Sequence, residues 1–278
     1  MIQLDAHIKT LTSEFNALLD TKVLGRQVRF LESTDSTNAQ AMRWANDTAP
    51  EGSLVLAEFQ TAGRGRHGRT WETTQSTNLL FSIVLRPQLP PSFLSLITIA
   101  ASVALSNTID HFIAPVQNQI KWPNDILVNG KKCCGMLLES AISIHNQHEN
   151  LPVILGIGVN VNQEQFSASI ATKTTSLLLE GGRHMPRMNF LTQFLAKLEA
   201  TYFSLNTDDN TALLQAYQSR MAFLNEETTL QFIGRDTSIN GVMHGINKTG
   251  ALQLLTKEGL KEFHAGEVTS QRAANIDL

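Results

Sequence analysis

Cysteine is nearly absent: the 278-residue chain has two, Cys133 and Cys134, side by side. Adjacent cysteines do not staple a small domain, and without CxxC spacing there is no thiolate clip for zinc, so both of those classes are excluded. The pair reads as two small, semi-apolar strand residues in a reducing cytoplasm. An excess of positive charge is lacking too. Twenty-two Lys and Arg stand against 25 Asp and Glu, for a net charge of -3, whereas a protein held to nucleic acid mainly through phosphates is normally basic. Met1 to Lys9 has neither the basic start nor the apolar core of a secretory signal. The most apolar stretch, Phe93 to Leu105, is broken by Ser95, Thr98 and Ser102 and is too short for a membrane span. Repeats and low-complexity tracts are missing as well. What remains is 42% hydrophobic and 17% charged, enough to bury a real core over about two domains.

Periodicity divides the chain. Residues 1–25 carry apolar positions at helical spacing and form an N-terminal helical extension. Phe30-Leu31 reads as a strand. A helix through Ala45 follows, with Asp35, Ser36, Thr37 and Asn38 as cap candidates. Strands are expected over 54–58 and 79–85, and a largely buried helix over 90–112. Residues 118–122, 126–128 and 131–143 are strand-like, with a Pro123-Asn124-Asp125 turn and an Asn129-Gly130 hairpin signal between them. Residues 153–161 form a further strand containing Gly156 and Gly158, which mark close approach of a ligand to the backbone. Helices follow over 189–202, capped by Asn189, and over 211–221. After Phe223 the pattern changes to short, evenly spaced strands with glycine turns, which suggests a small β-barrel. The expected organisation is a mixed α/β domain over 1–222 and an all-β domain over 223–278.

Two segments carry chemistry. Gly63-Arg64-Gly65-Arg66-His67-Gly68-Arg69 packs three arginines and three glycines into seven positions and closes on Trp71. Glycines let the backbone approach a ligand, arginine forks suit carboxylate and phosphate oxygens, and tryptophan offers a flat face. A disordered RGG-like segment touching RNA is the competing reading, but the loop sits between two apolar strands. The second segment is Lys121-Trp122-Pro123-Asn124-Asp125, where a lysine ends a strand at a proline turn; alone, a snorkelling surface lysine explains it equally well. Ser36-Thr37-Asn38 is a helix cap or a set of partners for a neutral polar ligand. His145 and His148 have no partners at metal-ligand spacing and read as surface, so no metal site is expected.

Taken together, in order, these segments resemble the biotin–protein ligase family. The shared pattern runs through Ser36-Thr37-Asn38, Gln60, the loop from Gly63 to Trp71, the segment 121–125, Gly135, Gly156-Ile157-Gly158-Val159-Asn160 and Thr175-Ser176-Leu177. It ends in Gly250-Ala251-Leu252 and Gly266-Glu267-Val268 with Arg272. The resemblance implies an α+β fold of the class II synthetase-like biotin/lipoate ligase type, a mixed β-sheet flanked by helices, with a small C-terminal SH3-like β-barrel. It implies activation of biotin with ATP and Mg²⁺ to biotinyl-5′-AMP, then transfer to a lysine of the biotin carboxyl carrier protein of acetyl-CoA carboxylase. The family's bifunctional members carry an N-terminal winged helix-turn-helix. About thirty residues precede the match here, so a monofunctional, cytoplasmic enzyme is expected, monomeric or dimerising with ligand, with no operator DNA and no membrane as partners.

The resemblance also distributes roles. Arg64, Arg66, Arg69 and Lys121 are the expected catalytic cations, with Lys121→Ala slowing adenylate formation by orders of magnitude. Ser36, Thr37, Asn38, Gln60, Gly63, Gly65, Gly135, Gly156 and Gly158, with Arg64, Arg66 and Lys121, line the biotin site. Arg66, Arg69, Trp71, Lys121, Asn160 and Arg272 hold ATP and the adenylate. The alternatives are a lipoate–protein ligase, which shares the fold without this arginine loop, and a nucleic-acid-binding module using the loop.

Overall fold

A computed structural model describes residues 2–140, 151–232, 234 and 237–270. His145, His148 and Arg272, singled out above, lie outside the described residues. In chain order the larger part comprises α1 (Ile2–Leu18), β1 (Val28–Thr34), α2 (Thr37–Asp47), β2 (Leu54–Gln60), β3 (Leu79–Leu85), α3 (Ser95–Ile113), β4 (Asn118–Lys121), β5 (Asp125–Val128), β6 (Lys131–Ser140), β7 (Val153–Val159), α4 (Leu177–Gly181), α5 (Arg187–Tyr202) and α6 (Thr211–Gln218). Its seven strands lie in the order β1-β2-β3-β7-β6-β5-β4. Only the β1–β2 pair is parallel; the other neighbours are antiparallel. The outer edge of β4 is closed by residues 220–222, where Ile120 N donates to Arg220 O and Ala222 N donates to Ile120 O.

The two faces of the sheet are covered unequally. On one side α3, α5 and α6 pack into the main core with Leu54, Leu56, Phe81, Ile83 and Leu155. A sheet covered by several helices reads as continuous apolar strands, and every residue of β3 is buried. Among the described residues the other side holds α2 alone, whose Ala41, Trp44 and Ala45 meet Val55, Val84 and Ile154. That single helix covers β2, β3 and one end of β7. The face over the remainder of β7, β6 and β5 is left for something other than a helix.

Two expectations are corrected. The segment 91–113 is long and apolar enough to cross a bilayer by length and composition. It is the central core helix, packed by α5 and α6, which is why it is apolar on nearly all sides. Asn189 does not cap α5; Pro186 holds that position with φ -71°. A proline has its φ preset for a helix start and no N–H to leave unpaired there.

The smaller part comprises β8 (Glu227–Gln231), β9 (Ser238–Ile246), β10 (Leu252–Thr256), β11 (Gly259–Phe263) and β12 (Glu267–Ser270). They form an antiparallel sheet in the order β11-β10-β9-β8-β12. It docks on the first sheet through Trp122, whose indole Nε1 donates to Gly250 O at 3.1 Å.

Candidate active site

The open half of the sheet face has a floor made of glycine. Gly135 on β6 stands directly opposite Gly158 on β7, and Gly156 lies two residues further along the same face. Nothing larger fits. A Cβ on Gly158 would lie 2.5 Å from Cε2 of Trp71, one on Gly135 2.9 Å from its Cζ3, and one on Gly156 1.9 Å from Oδ1 of Asn38. The glycines therefore let the Trp71 ring lie flat on the strands and let Asn38 sit against β7.

At one end the lining is neutral and polar. Ser36 occupies the N-cap position of α2, yet its side chain caps nothing. The next two residues turn to the sheet. Gln60 Oε1 accepts from Thr37 N at 2.7 Å and from Thr37 Oγ1 at 3.1 Å. The buried Ser82 hydroxyl on β3 lies 2.8 Å from Thr37 Oγ1 and 2.6 Å from Asn38 Oδ1, and has one proton to give. Asn38 Nδ2 donates to Glu139 Oε2 at 2.7 Å and Leu137 O at 3.3 Å. Both acceptors fix the amide's orientation, so its oxygen faces Gly156.

At the other end the lining is cationic. The glycine–arginine loop is a hairpin: Gly65 N donates to Arg69 O, Trp71 N donates to Gly63 O, and His67 and Gly68 turn it at φ 58° and 75°. Each exposed arginine has a carboxylate partner. Arg64 Nη2 is 3.1 Å from Glu139, and Arg69 makes a two-pronged pair with Glu267 of the smaller sheet, both contacts at 2.7 Å. Arg66 reaches inward to Asn124 Oδ1 and Gly266 O, each at 3.4 Å. Burial pulls its guanidinium below its ordinary value, while Glu267 and Asp125 oppose that shift. A fourth cation completes the set: Lys132 Nζ is 2.7 Å from Asp125 Oδ1 and 5.5 Å from the centroid of the Trp71 ring.

Ser36, Thr37, Asn38, Gln60, Arg64, Gly65, Arg66, Arg69, Trp71, Gly135, Gly156 and Gly158 thus line one cavity. Gly63, Lys121 and Asn160 do not. Gly63 packs under the backbone of Trp71. Asn160 follows the end of β7, with its Nδ2 donating to Thr175 O and its buried Oδ1 unpartnered. Lys121 pairs in register with Asp125, one strand further out. The lysine in the cavity is Lys132.

A β-bulge explains the exchange. Opposite β5, Asp125 faces Gly135, Ile126 faces Cys134, and Leu127 faces Lys132, so Cys133 is the extra residue. Strict alternation would place Lys132 and Gly135, three apart, on opposite faces. The bulge puts them on one face, with Lys132 Nζ 3.2 Å from where a Gly135 Cβ would stand. Both cysteines turn into the core. Sequence reasoning gave no role to Ser82 or Glu139, and took Asp125 and Glu267 only as parts of shared segments, because the partners of Ser82, Glu139 and Glu267 are distant in the chain and that of Asp125 is revealed only by the bulge.

A neutral polar end and a cationic end, joined by a flat floor, suit an amphipathic molecule with a carboxylate beside a phosphate. A model of the Biotin/lipoate A/B protein ligase family matches residues 30–160, and one of the Biotin protein ligase C terminal domain matches residues 223–269. The Biotin–[acetyl-CoA-carboxylase] ligase of Paracoccus denitrificans is 33% identical over 86% of this chain and 98% of its own. The chain belongs to the biotin protein ligase family. The bifunctional ligase/repressor BirA of Bacillus subtilis is 33% identical, with 92% of this chain matching 78% of that protein. Among solved structures, the biotin protein ligase of Aquifex aeolicus in complex with biotin and ATP superposes with a TM-score of 0.74 at 27% identity, over 88% of this chain and 98% of that one.

The fit at Gly156 yields a test within this ligase. A methyl group there meets the Asn38 amide, which is held by three partners and has nowhere to go. Gly156→Ala is expected to raise the KM for biotin about tenfold or more, the cost of about one broken charge-assisted hydrogen bond, while leaving the KM for ATP in place. Steady-state kinetics with each substrate varied in turn checks the split.

Proposed function

We propose that this ligase joins biotin to ATP in the cavity described above and then passes the biotinyl group to a lysine of a carrier protein, with the cationic end serving the carboxylate and phosphates and the neutral end serving the ureido ring. The observation that carries the division is that the cations Arg64, Arg69 and Lys132 each rest on a carboxylate, Glu139, Glu267 and Asp125. Such counter-ions hold long side chains in place while no anion is bound. The two arginine pairs are partly exposed and are worth only ~0–1 kcal/mol each, so a biotin carboxylate or a phosphate displaces them at small cost.

In the first half-reaction the carboxylate attacks the α-phosphate, and pyrophosphate departs. Two anions must meet, and the role of the cations is to neutralise charge that concentrates as they do. Arg64, Arg66 and Lys132 serve the carboxylate and the adenylate junction, and Arg69 serves the departing phosphates. Thr37, Gln60 and Ser36 pair with the ureido group, whose two N–H donors and one carbonyl need both kinds of partner. Trp71 offers adenine a ring face.

Mg²⁺ fits as a passenger on ATP. No group of three His, Cys, Asp or Glu that could hold a metal occurs among the described residues. Phosphate oxygens and water would therefore supply most of its ligands, as is usual for this ion. When bound, it draws charge away from the leaving pyrophosphate.

The deciding experiment is mass spectrometry of the biotin-accepting domain of an acetyl-CoA carboxylase after incubation with enzyme, biotin and MgATP. A gain of one biotinyl group on one lysine is expected, and an unchanged mass refutes the function. Lipoate in place of biotin is expected to release pyrophosphate about 10⁴–10⁵-fold less efficiently, because the buried polar end is left unpaired. Comparable efficiencies would move the chain to the lipoate branch.

A further inference from the structure

Beside the ligand cavity runs a second opening. It shares Arg66, Asn124, Met136 and Leu137 with the cavity, and extends between the start of α3, the Trp122-Pro123 turn and the smaller sheet at Gly250 and His264. Its walls are otherwise apolar or neutral, with Ile99, Leu138, Ser95 and Thr98 completing them. Among the described residues no carboxylate lines it. The charged or titratable groups facing it are Arg66 from the loop and His264 from the smaller sheet. The nearest carboxylates are committed elsewhere: Asp125 to Lys132, Glu267 to Arg69, Glu139 to Arg64, and Glu262 to Asn247 and Gln253.

We infer that this opening is the channel for the acceptor lysine of the carrier, and that it makes the amine reactive by excluding its charged form rather than by a general base. The inference rests on the function proposed above. Three features commit the channel to that occupant. It is continuous with the end of the cavity where the acyl-phosphate junction lies. Its apolar walls suit the four-carbon stem of a lysine. Its own charge is positive or neutral, which neither attracts a nucleotide's base nor holds an ammonium. Apolar burial and a fixed neighbouring cation both favour the neutral amine.

The chemistry balances without a further reagent. The ammonium sheds one proton to solvent as it enters. The neutral amine nitrogen then attacks the acyl carbon of biotinyl-5′-AMP, forming the amide C–N bond. The acyl C–O bond to phosphorus breaks, and its electron pair leaves on AMP. The second proton of the attacking nitrogen departs with solvent or the AMP phosphate. Arg66, at the junction of channel and cavity, stays with the phosphate on which that negative charge collects.

Thr98 allows a test that leaves the cavity alone. It lines the channel in the first turn of α3, where an acidic residue is tolerated. Enzyme carrying preformed biotinyl-5′-AMP is mixed with the carrier domain, and biotinyl-lysine formation is timed from about pH 6 to about pH 10, below and up to the ordinary lysine value of ~10.4. Thr98→Glu is expected to move the midpoint of the pH–rate profile up by about one unit and to slow transfer about tenfold near neutrality, because a carboxylate stabilises the ammonium. Thr98→Lys is expected to move it down, and Thr98→Gln to leave it in place. Biotin-dependent ATP–pyrophosphate exchange stays at the wild-type level in all three. Intact exchange with unmoved midpoints for both charged variants would overturn the channel. A wild-type rate that does not climb with pH across this range would also overturn it, because the mechanism requires the amine to lose its proton before it attacks. Absence of exchange in the wild type would instead refute the ligase function itself.

Discussion

Lys132→Ala lowers the rate of biotinyl-adenylate formation by about 10²–10³-fold, the usual consequence of removing one preorganised donor from a site of developing negative charge. Lys121→Ala leaves that rate within a few-fold of wild type. The contrast follows from one bulge. Both lysines belong to the three-stranded edge β4-β5-β6, and each has a register position beside Asp125 or its neighbours. Only Lys132 reaches the cavity, held 2.7 Å from the Asp125 carboxylate and over the Trp71 ring. Its ammonium is where a carboxylate lying on the glycine floor would meet a phosphate. Lys132→Arg is not conservative here, since a wide guanidinium fork replaces a compact ammonium that reaches Asp125 at 2.7 Å beside the Trp71 ring. Biotin-dependent exchange of labelled pyrophosphate into ATP reads the effect directly. Equal, small losses for Lys132→Ala and Lys121→Ala would remove Lys132 from the chemistry.

That pair of lysines also shows what a sequence conveys and what it withholds. The glycine–arginine loop was legible because composition alone sets it apart: no core needs three arginines among three glycines. The floor was legible in part, since Gly156 and Gly158 interrupt a strand that otherwise favours large apolar residues. Lys132 was hidden by period-two reasoning. In an unbroken strand its side chain would point away from Gly135, and nothing local to Lys131-Lys132-Cys133-Cys134 announces an extra residue. The register shift arises from pairing with β5 on one side and with residues 173–175 on the other, where Lys132 N donates to Lys173 O and Thr175 N to Lys132 O. The counter-ions were hidden for a related reason. Glu139 meets Arg64 and Glu267 meets Arg69 only because the sheet and the smaller domain bring distant segments together. Ser36-Thr37-Asn38 stood between two readings, cap or ligand wall, and the structure removes the first: Ser36 caps nothing, and Gln60 and Ser82 claim the side chains of Thr37 and Asn38.

Arg187→Ala costs about 3–5 kcal/mol of folding stability, a large share of the ~5–15 kcal/mol that holds a typical domain together. Arg187 begins α5 and reaches under the sheet to Glu58 on β2, pairing through both nitrogens at 2.8 and 3.0 Å, and it donates to Asn78 O as well. The two side chains are 10% and 2% exposed, so solvent screens little of the interaction, and without Arg187 the basic side chain left near the carboxylate is the half-exposed His7, whose Nε2 lies 3.6 Å from Glu58 Oε2. The loss is therefore mainly the penalty of an uncompensated buried charge, not the net worth of the pair. That distinction is testable. Urea unfolding of Arg187→Met, Glu58→Leu and the double variant is expected to show each single change strongly destabilising and the double far less so than their sum, because two apolar groups of similar volume desolvate nothing. Additive losses would mean that the pair is held by surroundings other than its own charge. The site feels the change through β2. Glu58 stands two residues before Gln60, which accepts both donors of Thr37, and Asn78 leads into β3 and Ser82. Arg187→Met, assayed well below its unfolding midpoint, is accordingly expected to raise the KM for biotin several-fold while leaving the KM for ATP unchanged. A buried ion pair behind the wall thereby contributes to holding the neutral end of the cavity in the shape the ureido ring requires.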